Sequence, residues 1–372
     1  MKIAINKTDI RDVLSRIQGI TGRKTNLAIT EMALIRTTDT GVTVVATDLE
    51  TGFEGAYPAT VDRPGAIAVN GKKLFEIVRE FPRSEILINE AEKRWIEIGS
   101  GSIEYHIVGM DPDDFPETPR IDAVDFFEMD APTLKKMIER TVIVAGAADD
   151  KRAHISGVYF EILNDESPQR IRLVATDGSR LSTADAVYPE KADLPDSIGI
   201  IVPKKGMSEV ARFLTTDGTV EVGFKENHFI ARRESETITI RLLEGEFPRY
   251  RDIISRTGGR VIKMDRQSLL MMLRRMSILS TEAYKGVIFN FSNDHLVVTA
   301  SNPEIGESKE EMDIEYDGEG IEIAFNPRYF IDALNVINAD TVSIDILDQQ
   351  RPCLVSGEDD DTYLSVIMPM KI

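Results

Sequence analysis

The sequence predicts an α+β protein made of three similar domains in tandem, and three observations carry that reading. First, a turn recurs: "VVATDLETG" at Val44–Gly52 is matched by "LVATDGSRL" at Leu173–Leu181, with Thr47 and Asp48 129 residues before Thr176 and Asp177. Second, "AIAVNGKKLFEIVREF" from Ala66 is matched by "GIIVPKKGMSEVARFL" from Gly199, at an offset of 133. Each is a short β run, a turn, two lysines and an amphipathic helix. Third, Phe115 and Pro116 are answered by Phe247 and Pro248, at an offset of 132. Three features in one order at a nearly constant offset mark an internal repeat, which has to be found before any single motif is weighed.

A third copy fills the remainder. "VVTASNPEIG" from Val297 stands where the turn stood, "EIAFNPRYFIDALNVI" from Glu322 supplies strand, Asn-Pro cap and helix, and "LSVIMPMKI" is the last strand. Each copy also opens on a helix pattern: "TDIRDVLSRIQG", "APTLKKMIERTV" and "RQSLLMMLRRMSIL". Ile10, Val13, Leu14 and Ile17 recur at helical spacing behind Thr8 or Asp9 as a cap, and Leu74, Phe75, Val78 and Phe81 do so after Asn70. Between the helices, "GVTVVATD", "SEILINE" and "RWIEIGSGSIEYHIVG" alternate apolar with polar residues, and Gly or Asn turns divide them into hairpins. Each copy therefore has two helices packed on antiparallel sheet. The expected domains are 1–123, 124–254 and 255–372, of ordinary size.

Composition narrows the class. A chain of 372 residues exceeds one ordinary core, since single cores stop growing near about 250–300 residues. With 42% hydrophobic and 29% charged residues, it should fold throughout. The start has no uninterrupted apolar stretch and no segment approaches the ~18–20 apolar residues of a membrane span, so a cytoplasmic protein is expected, with no membrane partner. The single cysteine, Cys353, excludes an internal disulfide framework and reads as a buried strand residue.

The net charge of −19 argues at first against nucleic acid, but its distribution argues the other way. The six helix windows, 8–19, 70–83, 132–141, 203–214, 266–276 and 326–337, hold sixteen basic and seven acidic residues. The rest of the chain holds 28 basic and 56 acidic, net −28. If all helices face one way, Lys72, Lys73, Arg79, Lys135, Lys136, Arg140, Lys204, Lys205, Arg212, Arg274 and Arg275 contribute to one basic surface. Such a surface binds phosphates without reading base sequence.

At this point the chain resembles the bacterial sliding clamps, the beta subunit of DNA polymerase III. "VATDGSRL", "VPKKGMSEV", "GEFPRYRDII", "ILSTEAYKGV", "TASNPE" and the terminal "MPMKI" carry the resemblance over essentially the whole length. It implies DNA-clamp domains, a head-to-tail homodimer closing into a ring of six domains, and duplex DNA passing through the hole. It implies no cofactor and no catalytic residue. The first domain of one chain would meet the third of the other: Lys73, Ile77, Tyr105 and Ile107 would face Ile278, Leu279, Glu304 and Glu307. It further implies a hydrophobic pocket for short linear motifs of replicative and translesion polymerases, the clamp loader and mismatch-repair proteins. Its walls would be Ile155, Thr176, Gly178, Ser179, Arg180, Leu181, Pro248, Ile253, Val366, Met368, Pro369, Met370 and Ile372. DNA-facing residues would be Arg23, Lys24, Lys72, Arg79, Lys136, Arg140, Lys151, Arg152, Lys204, Arg212 and Arg274. The residues make the pocket plausible on their own: chain ends are usually polar, yet "MPMKI" has four apolar side chains in five, and methionine suits a groove that takes varied partners.

Two rival readings are weaker. An enzyme would need Asp48 and Asp177 as an acid/base pair, but the third copy has Asn302 there, and Asp at such a turn commonly bonds its own backbone. "DPDD" at Asp111–Asp114 and "EDDD" at Glu358–Asp361 lack the spaced ligands and glycine of a calcium loop. His106, His154, His228 and His295 show no metal or catalytic spacing, so no metal is expected. A repeat-built scaffold that never touches DNA would share the fold, and only the basic helices speak against it.

Overall fold

The computed structural model describes residues 1–22, 27–118, 123–147, 152–163, 168–188, 198–255, 258–281 and 285–371. All six expected helices are present: Lys7–Arg16, Gly71–Glu80, Ala131–Val142, Lys204–Phe213, Arg266–Met276 and Pro327–Val336. Their apolar stripes explain them. Ile10, Val13, Leu14 and Ile17 are fully buried, as are Leu74 and Val78, while Phe75 lies half-buried beneath the Arg79 guanidinium. Asn70 caps its helix by accepting the Lys73 amide at 2.9 Å, and Asn326 caps the last one through the Arg328 amide at 3.1 Å. The first helix differs from expectation. Asn6, not Thr8 or Asp9, is the cap, because its side chain accepts the Thr8 amide at 2.8 Å and the helix starts at Lys7.

The chain forms two compact units: residues 1–135 with 205–242, and residues 136–204 with 243–372. The central repeat is thus shared between them, and strand pairing gives the reason. In the first unit, Thr51–Gly55 of the first repeat pairs antiparallel with Glu236–Ile240 of the second, extending one sheet to twelve strands. In the second unit, Arg180–Ala184 pairs with Tyr363–Ile367, so an eight-stranded sheet joins the second repeat to the third. The third repeat also has a four-stranded sheet, and its core of Phe289, Phe291, Phe325 and Phe330 is closed by Leu269, Leu273 and Leu334 from its two helices. Cys353 is buried there, and burial pushes its thiol well above the ordinary range, as a structural cysteine requires.

The repeated turn has one backbone plan. Asp48 Oδ1 accepts the amides of Glu50 and Thr51, Asp177 Oδ1 accepts those of Ser179 and Arg180, and Asn302 Oδ1 accepts that of Glu304. The plan of the first two copies calls for a left-handed residue after the aspartate. Gly178 fills it at φ 91°, whereas Leu49 fills it at φ 77° with an exposed side chain. A β-carbon there costs about 1–2 kcal/mol. Leu49→Gly is therefore expected to raise stability by about 0.5–1 kcal/mol, the rest being lost to the freer unfolded chain. Equilibrium urea unfolding at neutral pH checks this, and a destabilised variant would refute it.

Candidate functional site

The second copy of the turn stands where the second unit's sheet meets the end of the chain. Thr176 Oγ1 accepts the Gly178 amide and donates to the Arg180 carbonyl at 2.7 Å, which sets the strand entering Leu181. Leu181 pairs with Val366 in the neighbouring strand. Beyond that strand the tail keeps its place through two backbone bonds: the Met368 amide donates to the Ser179 carbonyl at 3.0 Å, and the Met370 amide to the Ala324 carbonyl at 2.8 Å. An apolar cluster forms beneath, made of Val174, Leu181, Tyr250, Leu354 and Val366, with Tyr159 and Phe247 against it. Phe247 stacks on Tyr159 at 4.9 Å between centroids, and the Tyr250 hydroxyl donates to Glu161 at 2.5 Å.

Three recesses open around this cluster. One of about 340 Å³ is lined by Ile253 and Leu354, one of about 300 Å³ by Tyr159, Phe247, Pro248 and Tyr250, and one of about 190 Å³ by Arg180, Tyr329 and Asp332. Of the residues implicated from sequence, Ile155, Thr176, Leu181 and Val366 are buried, while Gly178, Ser179, Pro248, Ile253, Met368 and Met370 are exposed and Pro369 is half-buried. Ile372 lies outside the described residues. Apolar side chains partly open to water above a buried apolar floor suit a docked hydrophobic segment.

Arg180 braces the site. Its guanidinium donates to Asp177 at 3.0 Å, to Asp332 at 2.6 Å and to the Ile143 carbonyl at 3.3 Å, and lies 4.5 Å from the Tyr329 ring centroid. Sequence reasoning missed Asp332 and Tyr329, which lie far from the turn in the chain, and Tyr159, which strand pairing sets opposite Val174. Tyr250 carried a signal, since it follows the repeated Phe-Pro pair.

The cations divide into two groups. Lys72, Arg79, Lys136, Arg152, Arg212 and Arg274 are exposed. Arg140 is a correction: the residue is 2% exposed, its guanidinium donates to Asp360 at 2.5 Å and to Thr362 at 3.0 Å, and it covers the Tyr363 ring. It cannot face DNA from there, because the guanidinium is buried and its charge is spent on the half-buried Asp360 carboxylate. Lys205 likewise forms an ion pair with Asp48, and Lys204 is half-buried with Nζ donating to the Ala145 carbonyl at 2.7 Å. Burial and the Arg180 charge lower the Lys204 ammonium below its ordinary range. Arg23, Lys24 and Lys151 lie outside the described residues.

Two of the sheet edges among the described residues lie in the first and third repeats. Ile103–Val108 ends the twelve-stranded sheet and Gly306–Asp313 ends the four-stranded one. Beside the first, Tyr105 is exposed, Ile107 and Ile77 are half-buried, and Lys73 is exposed and paired with Glu76. Beside the second, Ile278 is 75% exposed, Leu279 is half-buried, and Glu304 and Glu307 are exposed. One group that could approach a cation exists among the described residues: Glu97, Glu104 and His106, drawn together by strand pairing that sequence spacing does not reveal. No helix among the described residues is long and apolar enough to cross a membrane.

Comparisons with known proteins agree with this architecture. Profiles of the N-terminal, central and C-terminal domains of the DNA polymerase III beta subunit match residues 1–119, 128–249 and 251–371. The chain is 31% identical to a beta sliding clamp of Pseudomonas aeruginosa and 28% to one of Chlamydia pneumoniae, covering all of this chain and 99–100% of each relative. Crystal structures of a P. aeruginosa sliding clamp with ligand (30% identity, TM-score 0.90) and of a Bartonella birtlesii clamp bound to griselimycin (26%, TM-score 0.92) superpose over the full length of both chains. With three matched domains in the same order and a relative above 30% identity end to end, the chain belongs to the DNA polymerase III beta subunit family, the sliding clamps that serve replication as non-catalytic processivity factors.

Proposed function

We propose that two copies of this chain join head to tail into a closed ring that encircles duplex DNA and tethers other proteins through the cluster beneath "MPMKI". The single observation that carries the assembly is that the edge strands Ile103–Val108 in the first repeat and Gly306–Asp313 in the third each have exposed apolar residues beside them, Tyr105 and Ile278. Inside the chain, successive repeats already join by antiparallel pairing of such edges. A heterologous contact that closes after two copies leaves no edge for further growth. In this reading the domains are 1–123, 124–254 and 255–372.

The exposed cations Lys72, Arg79, Lys136, Arg152, Arg212 and Arg274 line the hole. Contacts of this kind are salt-sensitive and blind to sequence. A ring keeps DNA by topology, so weak contacts suffice and sliding is preserved. The occupants of the pocket are short hydrophobic segments of replicative and translesion polymerases, the clamp loader and mismatch-repair proteins. The recesses beside Ile253, Pro248 and Tyr329 support several anchors on one peptide.

Loading onto nicked circular DNA by a clamp loader, followed by linearisation, tests the reading. Labelled protein should co-elute with circles and leave linear DNA within minutes. Retention on linear DNA, or failure to load at all, would overturn it.

A further inference from the structure

We propose that Glu97, Glu104 and His106 form a binding site for a divalent transition-metal cation, Zn²⁺ or one of its neighbours, on the outermost strand pair of the twelve-stranded sheet. The site does not depend on the head-to-tail assembly put forward above.

A tight hairpin builds it. Trp95–Ser100 pairs antiparallel with Ile103–Val108, and only Gly101 and Ser102 lie between the strands, Gly101 taking the left-handed φ of 68° that such a turn favours. This register sets Glu97 directly opposite His106, and Gly99 opposite Glu104. Because Glu104 and His106 are two residues apart on one strand, all three side chains stand on one face of the sheet, and Gly99 adds no side chain beside them. The buried Ile96 and Ile98 take the other face. No spacing motif marks the three residues in the sequence; strand pairing assembles them.

The donor atoms are spaced for a cation. His106 Nε2 lies 3.4 Å from Glu104 Oε1 and 3.8 Å from Glu97 Oε1, and one donor atom from each residue falls within 4.8 Å of the other two. Ligands about 2.0–2.1 Å from a tetrahedral Zn²⁺ stand about 3.3 Å apart, so small side-chain rotations complete three corners and leave the fourth to water. A proton serves the same atoms less well. Nε2 carries at most one N–H and cannot donate fully to both carboxylates, which face each other across a diagonal of the sheet where like charges repel. A cation with several coordination positions satisfies all three donors at once.

Residues outside the triad hold it in place. Glu97 Oε2 accepts the side-chain amide of Asn89, its neighbour across the next strand, at 2.6 Å, and Asn89 Oδ1 accepts Arg63 Nη2 at 3.1 Å. That chain of bonds leaves Glu97 Oε1 turned to the imidazole, as the outer partners of metal ligands do. His295 supplies the contrast, since its Nδ1 lies 3.1 Å from Asp313 with no third ligand gathered there; among the described residues only the Glu97, Glu104 and His106 group is drawn so close. One imidazole with two carboxylates suits Zn²⁺ or Ni²⁺ better than Mg²⁺ or Ca²⁺, which prefer all-oxygen sets. The imidazole is 47% exposed, so a cation reaches it without any opening of the fold.

The test is a calorimetric titration of the untagged full chain, stripped with chelator, with Zn²⁺. One ion per chain should bind in the micromolar range. Glu97→Gln, Glu104→Gln and His106→Ala should each weaken binding at least about tenfold, Asn89→Ala should do so about tenfold through Glu97, and His295→Ala should leave it unchanged. A second readout is built in: Trp95, the only tryptophan, stands two residues from Glu97 on the same face, about 7 Å along the strand. Ni²⁺ should therefore quench its fluorescence in the wild type and not in His106→Ala. The side chains are largely exposed, so the metal-free variants should melt as the wild type does, and only the wild type should melt higher when Zn²⁺ is added. Millimolar Mg²⁺ should not displace Zn²⁺. No uptake of Zn²⁺ at about a hundred micromolar, wild-type affinity in His106→Ala, displacement by Mg²⁺, or uptake of Ni²⁺ without quenching would each overturn the proposal and leave only an acidic surface that gathers cations loosely.

Discussion

Replacing Arg140 with alanine should destabilise the second unit by about 3 kcal/mol at neutral pH, the usual cost of removing one partner from a buried ion pair. The loss has three sources. Asp360 keeps its charge in a site that is 20% exposed, Thr362 loses a donor, and the Tyr363 ring loses the guanidinium 5.0 Å from its centroid. Replacing the pair together, as Arg140→Met with Asp360→Leu, should cost less than Arg140→Ala alone, because no charge is then stranded. Urea unfolding of the three variants separates these terms.

The same pair predicts a pH dependence. Burial works to raise the Asp360 carboxyl, but hydrogen bonds from Thr362 and the Arg140 guanidinium outweigh it and hold the group below the ordinary aspartate range. A depressed carboxyl contributes stability that is fully present above its unfolded pKa, about 3.9, and is lost as pH falls through the folded value. The gap between wild type and Arg140→Ala should therefore shrink below about pH 4. A gap that is constant from pH 7 to pH 3 would assign the stabilisation to packing instead.

Arg140 also shows where sequence reading stops. The repeats, the six helices and the order of the strands were legible because 3.6 and 2 residue periodicities report local burial. Helix charge was legible too, but only as a sum. Arg140, Lys205 and Arg212 look alike in sequence, and the fold spends the first on Asp360, the second on Asp48 and leaves the third 57% exposed beside Glu209. Which carboxylate lies across a seam depends on pairing between segments some 150–220 residues apart, which no local pattern encodes. The pocket divides the same way. Its turn and its tail announced themselves as an exception to a repeat and an apolar chain end, whereas Tyr159, Tyr329 and Asp332 reach the site only through sheet and helix packing.

Removing residues 368–372 should abolish binding of a polymerase-derived clamp-binding peptide, a loss of at least about a hundredfold in affinity, while the dimer remains. The tail's backbone makes two bonds, from Met368 to Ser179 and from Met370 to Ala324, so truncation should cost about 2 kcal/mol of stability at the usual net value for each. That is too little to unfold a domain. Met368→Ala and Met370→Ala separate the two roles of the tail. The two residues are 40% and 37% exposed, so stability should move by no more than about 0.5 kcal/mol. Affinity should still fall about tenfold for each, because a docked peptide covers the surface that the solvent now sees. Fluorescence anisotropy with a labelled peptide and sedimentation of the same samples read the two effects separately. If the truncated chain binds the peptide as wild type does, the methionines finish the third domain and do nothing more. If the dimer fails together with the peptide, the tail acts through the ring and not through the pocket. Loss of peptide binding alone, with the ring intact, assigns the tail to the wall of the docking site.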